Sequence, residues 1–191
     1  AYEPSWSRRG LWDRSYNESR TPEVPSMLLE LLSHQNFADM KYGLDPSFRF
    51  TVSRAIYKGI LKYLSLANNV PYTVQPLPVK NFAAELAGEE SVRLSWSPVN
   101  DPLEPTAVPT GYVVYTKIND GGFDNGVVVN DTTAVVNIAP DCIYSFKVAA
   151  INDGGASFPS EELAVGVSSA AKGKVALVVN GFNRVAGPAV F

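Results

Sequence analysis

The side chains best placed to do chemistry lie near the start of the chain. Glu30 sits inside the run Ser26-Met27-Leu28-Leu29-Glu30-Leu31-Leu32. A carboxylate with apolar neighbours is pushed toward neutrality by desolvation, which suits a general acid or base. The alternative is a structural carboxylate at a strand end, paired with an arginine such as Arg20 or Arg49. His34 is the one histidine in 191 residues. A catalytic zinc takes about three protein ligands, so no metal is expected in this chain, and His34 reads as a polar loop residue rather than a metal or substrate contact. Cys142, the one cysteine, excludes an internal disulfide and reads as a small buried hydrophobe. The tetrapeptide Asn-Asp-Gly-Gly occurs at 119–122 and 152–155. Both copies read as tight turns, since neither has the alternating oxygen ligands of a calcium loop. Gly181 is not followed by the Gly-Lys-Ser/Thr sequence that makes a phosphate loop.

Positioning Glu30 requires an element around it. Ser26 to Leu32 predicts a strand buried on both faces, preceded by Pro22 and Pro25 and closed by polar Ser33-His34-Gln35-Asn36. A short helix over about Asn36 to Tyr42 should stop at Gly43. Asp45-Pro46 then supplies an N-cap and an N1 proline. Phe48, Val52, Ile56, Ile60 and Tyr63 recur at helical spacing, so Pro46 to about Ala67 predicts an amphipathic helix that Asn68-Asn69 ends. This strand and helix could form a small core with Trp6, Leu11 and Trp12.

Val70 to Lys80, VPYTVQPLPVK, has three prolines and no helical period, as in an extended linker leading into a first strand. Short alternating segments come next at Val92 to Trp96, Tyr112 to Lys117, Gly126 to Val129, Ala134 to Ile138, Tyr144 to Asn152 and Leu163 to Val167, an all-β pattern. A final strand-like run, Lys174 to Asn180, suggests the start of a further domain. The expected division is 1–74, 75–168 and 169–191.

Charge supports that division. Residues 1–74 carry 9 basic and 7 acidic side chains, 75–168 carry 4 and 12, and 169–191 carry 3 and none. An acidic middle segment is a poor partner for nucleic acid, whose phosphates need clustered Lys and Arg. No stretch is long and apolar enough to span a bilayer. Phe123, Phe158 and Tyr115 could stack on sugars if exposed, or serve as core or edge residues.

Two resemblances give these segments a family context. Trp96, Tyr112-x-Val114-Tyr115, and Tyr144-x-Phe146-x-Val148-x-Ala150-x-Asn152 followed by Gly154, Pro159, Ser160 and Glu161 resemble a fibronectin type III domain over Val79 to Val167. That likeness implies a two-sheet sandwich with Trp96 in its core and Tyr144 anchoring a corner through its hydroxyl. Arg9-Gly10-Leu11, Pro25 to Glu30, Asn36 and Ala55 to Ile60 resemble the closing strand and helix of zinc-dependent N-acetylmuramoyl-L-alanine amidases. This second likeness implies that Glu30 is the catalytic glutamate and that the metal ligands lie upstream, so zinc belongs to an intact parent. The residues after the acid, Leu31-Leu32-Ser33-His34, depart from that family's small and aromatic ones.

The tail Val178 to Pro188 resembles the region after the sandwich in large xanthan lyase-like Bacteroidetes proteins. Together these likenesses imply a mixed fold, a truncated α/β amidase-like segment plus an all-β sandwich, in a fragment of a secreted, periplasmic or cell-surface hydrolase acting on peptidoglycan. The alternative implied is a non-catalytic carbohydrate- or protein-binding or spacer module of a polysaccharide-acting protein.

Overall fold

A computed structural model describes residues 10–170; the expected strand at Lys174 to Asn180 and Trp6 lie outside them. The described chain divides into two compact units, 10–51 and 52–170.

In the first unit, α1 (Asn17–Arg20) is a single turn, and α2 (Phe37–Gly43) starts where Asn36 caps it by accepting a hydrogen bond from Ala38 N. The helix α3 (Pro46–Asn68) begins in this unit, with Asp45 Oδ1 accepting from Ser47 N at 2.8 Å. Its N-cap, N1 proline and length are those read from the sequence. Phe48, near its start, is buried against Tyr42, with ring centroids 5.9 Å apart.

The strand expected at Ser26 to Leu32 does not form. A strand buried on both faces needs neighbours on either edge and apolar layers above and below. Both described sheets are built wholly from residues 80–166. Met27, Leu28, Leu29 and Leu31 are exposed, and Leu32 leaves the extended region at φ 68°. Leu11 and Trp12 are exposed as well, so among the described residues the small core expected around them does not form.

In the second unit, α3 runs on from Val52 and ends at Asn68; Asn69 takes φ 52° and Ser65 Oγ donates to Val70 O. Eight strands come after it: β1 (Lys80–Leu86), β2 (Ser91–Ser97), β3 (Gly111–Ile118), β4 (Val127–Val129), β5 (Thr133–Asn137), β6 (Ile143–Asn152), β7 (Gly155–Ala156) and β8 (Leu163–Gly166). Every pairing is antiparallel. One sheet has the order β1-β2-β5; the other has β4-β3-β6, with β7 and β8 pairing successive parts of β6.

The alternation in β2 sends Val92, Leu94 and Trp96 inward, where they meet Tyr112 and Val114 of β3 and Tyr144, Phe146, Val148 and Ala150 of β6. Trp96 fills the centre, edge-on to Tyr112 with centroids 5.4 Å apart. Cys142 is half-buried and packs on this core from outside. Tyr144 holds the corner before β6: its hydroxyl accepts from Ala139 N at 3.1 Å. On the edge of β6 between its pairings with β8 and β7, Ser157 and Ser160 take the place of a strand, their hydroxyls accepting from Ala150 N and Val148 N. Gly126 has φ 79°, and an added Cβ would lie 2.3 Å from Val113 Cγ1, so that turn into β4 demands glycine.

Candidate functional site

Glu30 lies in an exposed, irregular stretch. The apolar neighbours Leu28, Leu29 and Leu31 are exposed rather than packed around it. His34 falls in the turn before α2. Among the described residues no three His, Cys, Asp or Glu side chains converge as a metal site. The described residues do not fit a catalytic zinc.

The densest polar geometry lies instead where the chain enters the sandwich. Arg54, on α3, sets Nε 3.0 Å from Asp101 Oδ2 and donates through Nη2 to Gln75 O at 3.1 Å. One turn later Lys58 places Nζ 3.2 Å from Glu104 Oε2. Glu104, only 7% exposed, also accepts from Tyr72 OH and from Thr106 Oγ1, each at 3.0 Å. Burial alone would push the Glu104 carboxyl up. Hydrogen bonds from Thr106, Tyr72 and Lys58, together with the Lys58 charge, outweigh that and hold it below its ordinary 4.5. Tyr72 is raised, first by burial and then by the carboxylate it donates to.

The linker between helix and sandwich is fixed at the same place. Val74 is fully buried and Pro76 nearly so. Val74 N donates to Thr106 Oγ1, and Val74 O accepts from Asn152 Nδ2 at 2.9 Å. The same amide nitrogen reaches Thr106 O and Val108 O, and Asn152 Oδ1 accepts from Gly154 N. A Cβ on Gly154 would stand 2.5 Å from Thr73 O, so the linker crosses this turn at backbone contact. The turn at 152–155 is as expected from sequence; its second task, gripping residue 74, carries no signal local to the tetrapeptide.

A matching arrangement holds the chain where it leaves. Asp141, at φ 61°, donates its N–H to Val167 O, while its carboxylate accepts from Ser169 N at 2.9 Å and Ser169 Oγ at 2.6 Å. Those two bonds hold the Asp141 carboxyl below its usual range. Asn152 is the last residue of β6 and Asp141 lies just before its first. The ten residues of β6 separate the two grips by roughly 30 Å at strand rise.

On the outer side of β3 and β6, Lys147 Nζ lies 4.0 Å from the Phe123 ring centroid and 5.4 Å from that of Tyr115. Lys117 Nζ also approaches Phe123, at 5.1 Å, and pairs with Glu162. Phe158 is 66% exposed.

With strand order, Trp96, the Tyr144 corner and the alternating β6 in place, comparison with known proteins identifies the module: the fibronectin type III family matches residues 77–166. Those residues are a fibronectin type III domain. Solved structures similar to this chain include the twitchin kinase region from C. elegans, at 23% identity over 49% of this chain and 17% of that one, with TM-score 0.44. The chicken CNTN1 FN1–FN3 domains share 15% identity over 52% of this chain and 34% of that one, TM-score 0.44. The FN5 domain of Drosophila Lar shares 21% over 49% and 97%, TM-score 0.38. This chain thus spans a small part of the first of these and nearly all of the last. No curated protein matches it. The match begins at residue 77, so it bears on the fibronectin type III domain and leaves the amidase resemblance of residues 1–74 unsupported. No helix among the described residues is long and apolar enough to cross a membrane.

Proposed function

We propose that this chain is a non-catalytic module in which the fibronectin type III domain is a stiff spacer, setting the distance and direction between the part of α3 from Val52 onward and Ser169. The observation that carries this reading is the pair of grips at opposite ends of β6, on Val74 and on Ser169. A flexible tether would leave those segments solvated. Here backbone at both joints is hydrogen-bonded into the domain. An extracellular, periplasmic or cell-surface setting in a polysaccharide-acting protein accords with a spacer that holds working domains apart.

Sugar stacking on Tyr115 and Phe123 is less favoured than spacing, because Lys147 lies over both rings. A carbohydrate would have to displace it and lose the cation–π attraction. Probing the intact chain on a glycan array is expected to give no signal that depends on Phe123.

The spacer reading is tested by a distance distribution between spin labels at Lys62→Cys and Ser168→Cys in a Cys142→Ala background. One narrow distribution is expected. A spread as wide as that of an unstructured tether would reject the proposal. The amidase reading of a parent protein, with Glu30 as its acid or base, rests on resemblance and has its own test. Purified peptidoglycan incubated with this chain and zinc should release no muropeptides, and Glu30→Gln should change nothing; release that Glu30→Gln abolishes would restore Glu30 to a mechanism.

A further inference from the structure

The side of α3 turned to the sandwich carries its charged pairs. Arg54 and Lys58, four residues apart and so on one face, meet Asp101 and Glu104 of the segment joining β2 to β3. Ile60, Tyr63, Leu64 and Leu66 of the helix are exposed, while Tyr57 and Leu61, on the face of Arg54 and Lys58, are half-buried. The joint thus sets two ion pairs beside a small apolar contribution that includes buried Val74 and Pro76, whereas the sandwich is held by a continuous apolar core from Val79 to Ala150. Two parts of one unit thus depend on charge and apolar burial in different proportions.

We infer that the joint between α3 and the fibronectin type III domain is an electrostatic latch, which releases the helix when its carboxylates are neutralised while the sandwich stays folded. This rests on the spacer reading and adds to it a condition under which the spacer loosens. The charged and titratable groups around Glu104 are Lys58, Arg54 and Tyr57 from the helix, Tyr72 from the linker, and Asp101 from its own segment. All but Asp101 are cations or hydroxyls, and Asp101 is itself paired with Arg54. Breaking a buried pair from one side leaves the other charge stranded in a place water does not reach, which costs far more than an exposed pair contributes. Protonating Glu104 leaves Lys58, whose side chain is 21% exposed, without its counter-ion in a mostly buried position. The group's ordinary value is 4.5 and its value in the fold is lower. Its contribution is therefore complete above about pH 4.5 and is lost as pH falls through the lower, folded value. Helical stability in proteins comes mostly from tertiary packing, so once the joint is free the amides of α3 open to exchange.

The test is hydrogen exchange of the intact chain at pH 7, comparing amides of residues 56–66 with those of 144–151. In the unaltered chain both sets are expected to be protected. Glu104→Gln should speed exchange in the helix set at least about tenfold and leave the β6 set unchanged. Asp101→Asn, which strands Arg54, should act in the same direction, while Glu162→Gln, on a remote exposed pair, should not. Unchanged helix protection in both Glu104→Gln and Asp101→Asn overturns the latch and leaves the spacer standing if the label distances are narrow. Loss of helix and β6 protection together also overturns it, since joint and core would then be one cooperative unit. Helix amides already unprotected in the unaltered chain would sink latch and spacer alike.

Discussion

Asn152 spends all of its polar capacity on the joint, with its amide nitrogen near three carbonyls and its oxygen on Gly154 N. Asn152→Ala strands partly buried carbonyls of Val74 and Thr106, and urea denaturation is expected to show a loss of about 2–3 kcal/mol. Asn152→Asp keeps the acceptor and loses the donors, so it should be no better. Gly154→Ala acts on space rather than bonding. Its methyl would meet Thr73 O at 2.5 Å, and limited proteolysis should cut near residues 72–75 faster than in the parent chain while the core stays resistant. Tyr144→Phe removes one hydrogen bond to Ala139 N and should cost about 1 kcal/mol in the same denaturation experiment. The Tyr144 corner is legible in the sequence because its aromatic sits at a fixed place before an alternating strand. The partners of Asn152 are not, since Val74 and Thr106 lie 78 and 46 residues away, and nothing in a linear pattern pairs them.

Among elements, the strands from β1 to β8 are legible wherever apolar and polar residues alternate between turn clusters. β7 escapes because two residues are too few to show a period. The two longer helices are legible through Asn36, Asp45-Pro46 and the spacing of Phe48, Val52 and Ile56. The sequence pattern misleads at Ser26 to Leu32, where apolar content suggests burial; burial depends on neighbours, and among the described residues no strand lies beside this segment. On α3 the apolar spacing reveals the helix but not its joint, which uses Arg54 and Lys58. Charged pairs across a tertiary contact leave no periodic trace.

At the scale of the whole described chain, acid should act at the two joints and on one surface pair. Glu104 and Asp141 at the joints, and Glu162 on an exposed pair away from them, are all held below their ordinary values, by Thr106, Ser169 and Lys117 respectively among other partners. Each contributes above its unfolded value and loses that contribution as pH falls through its folded one. A stability profile from pH 7 downward is expected to be flat to about pH 5 and to decline below it; a maximum at pH 3 would contradict these directions. The two grips also decide how the module answers a pull. Tension arriving at Val74 passes to Asn152 at one end of β6, and tension leaving through Ser169 is drawn from Asp141 at the other. β6 is bonded to β3 on one side and to β7 and β8 on the other, so a stretching force runs along the strand and loads those rungs together rather than peeling them one at a time.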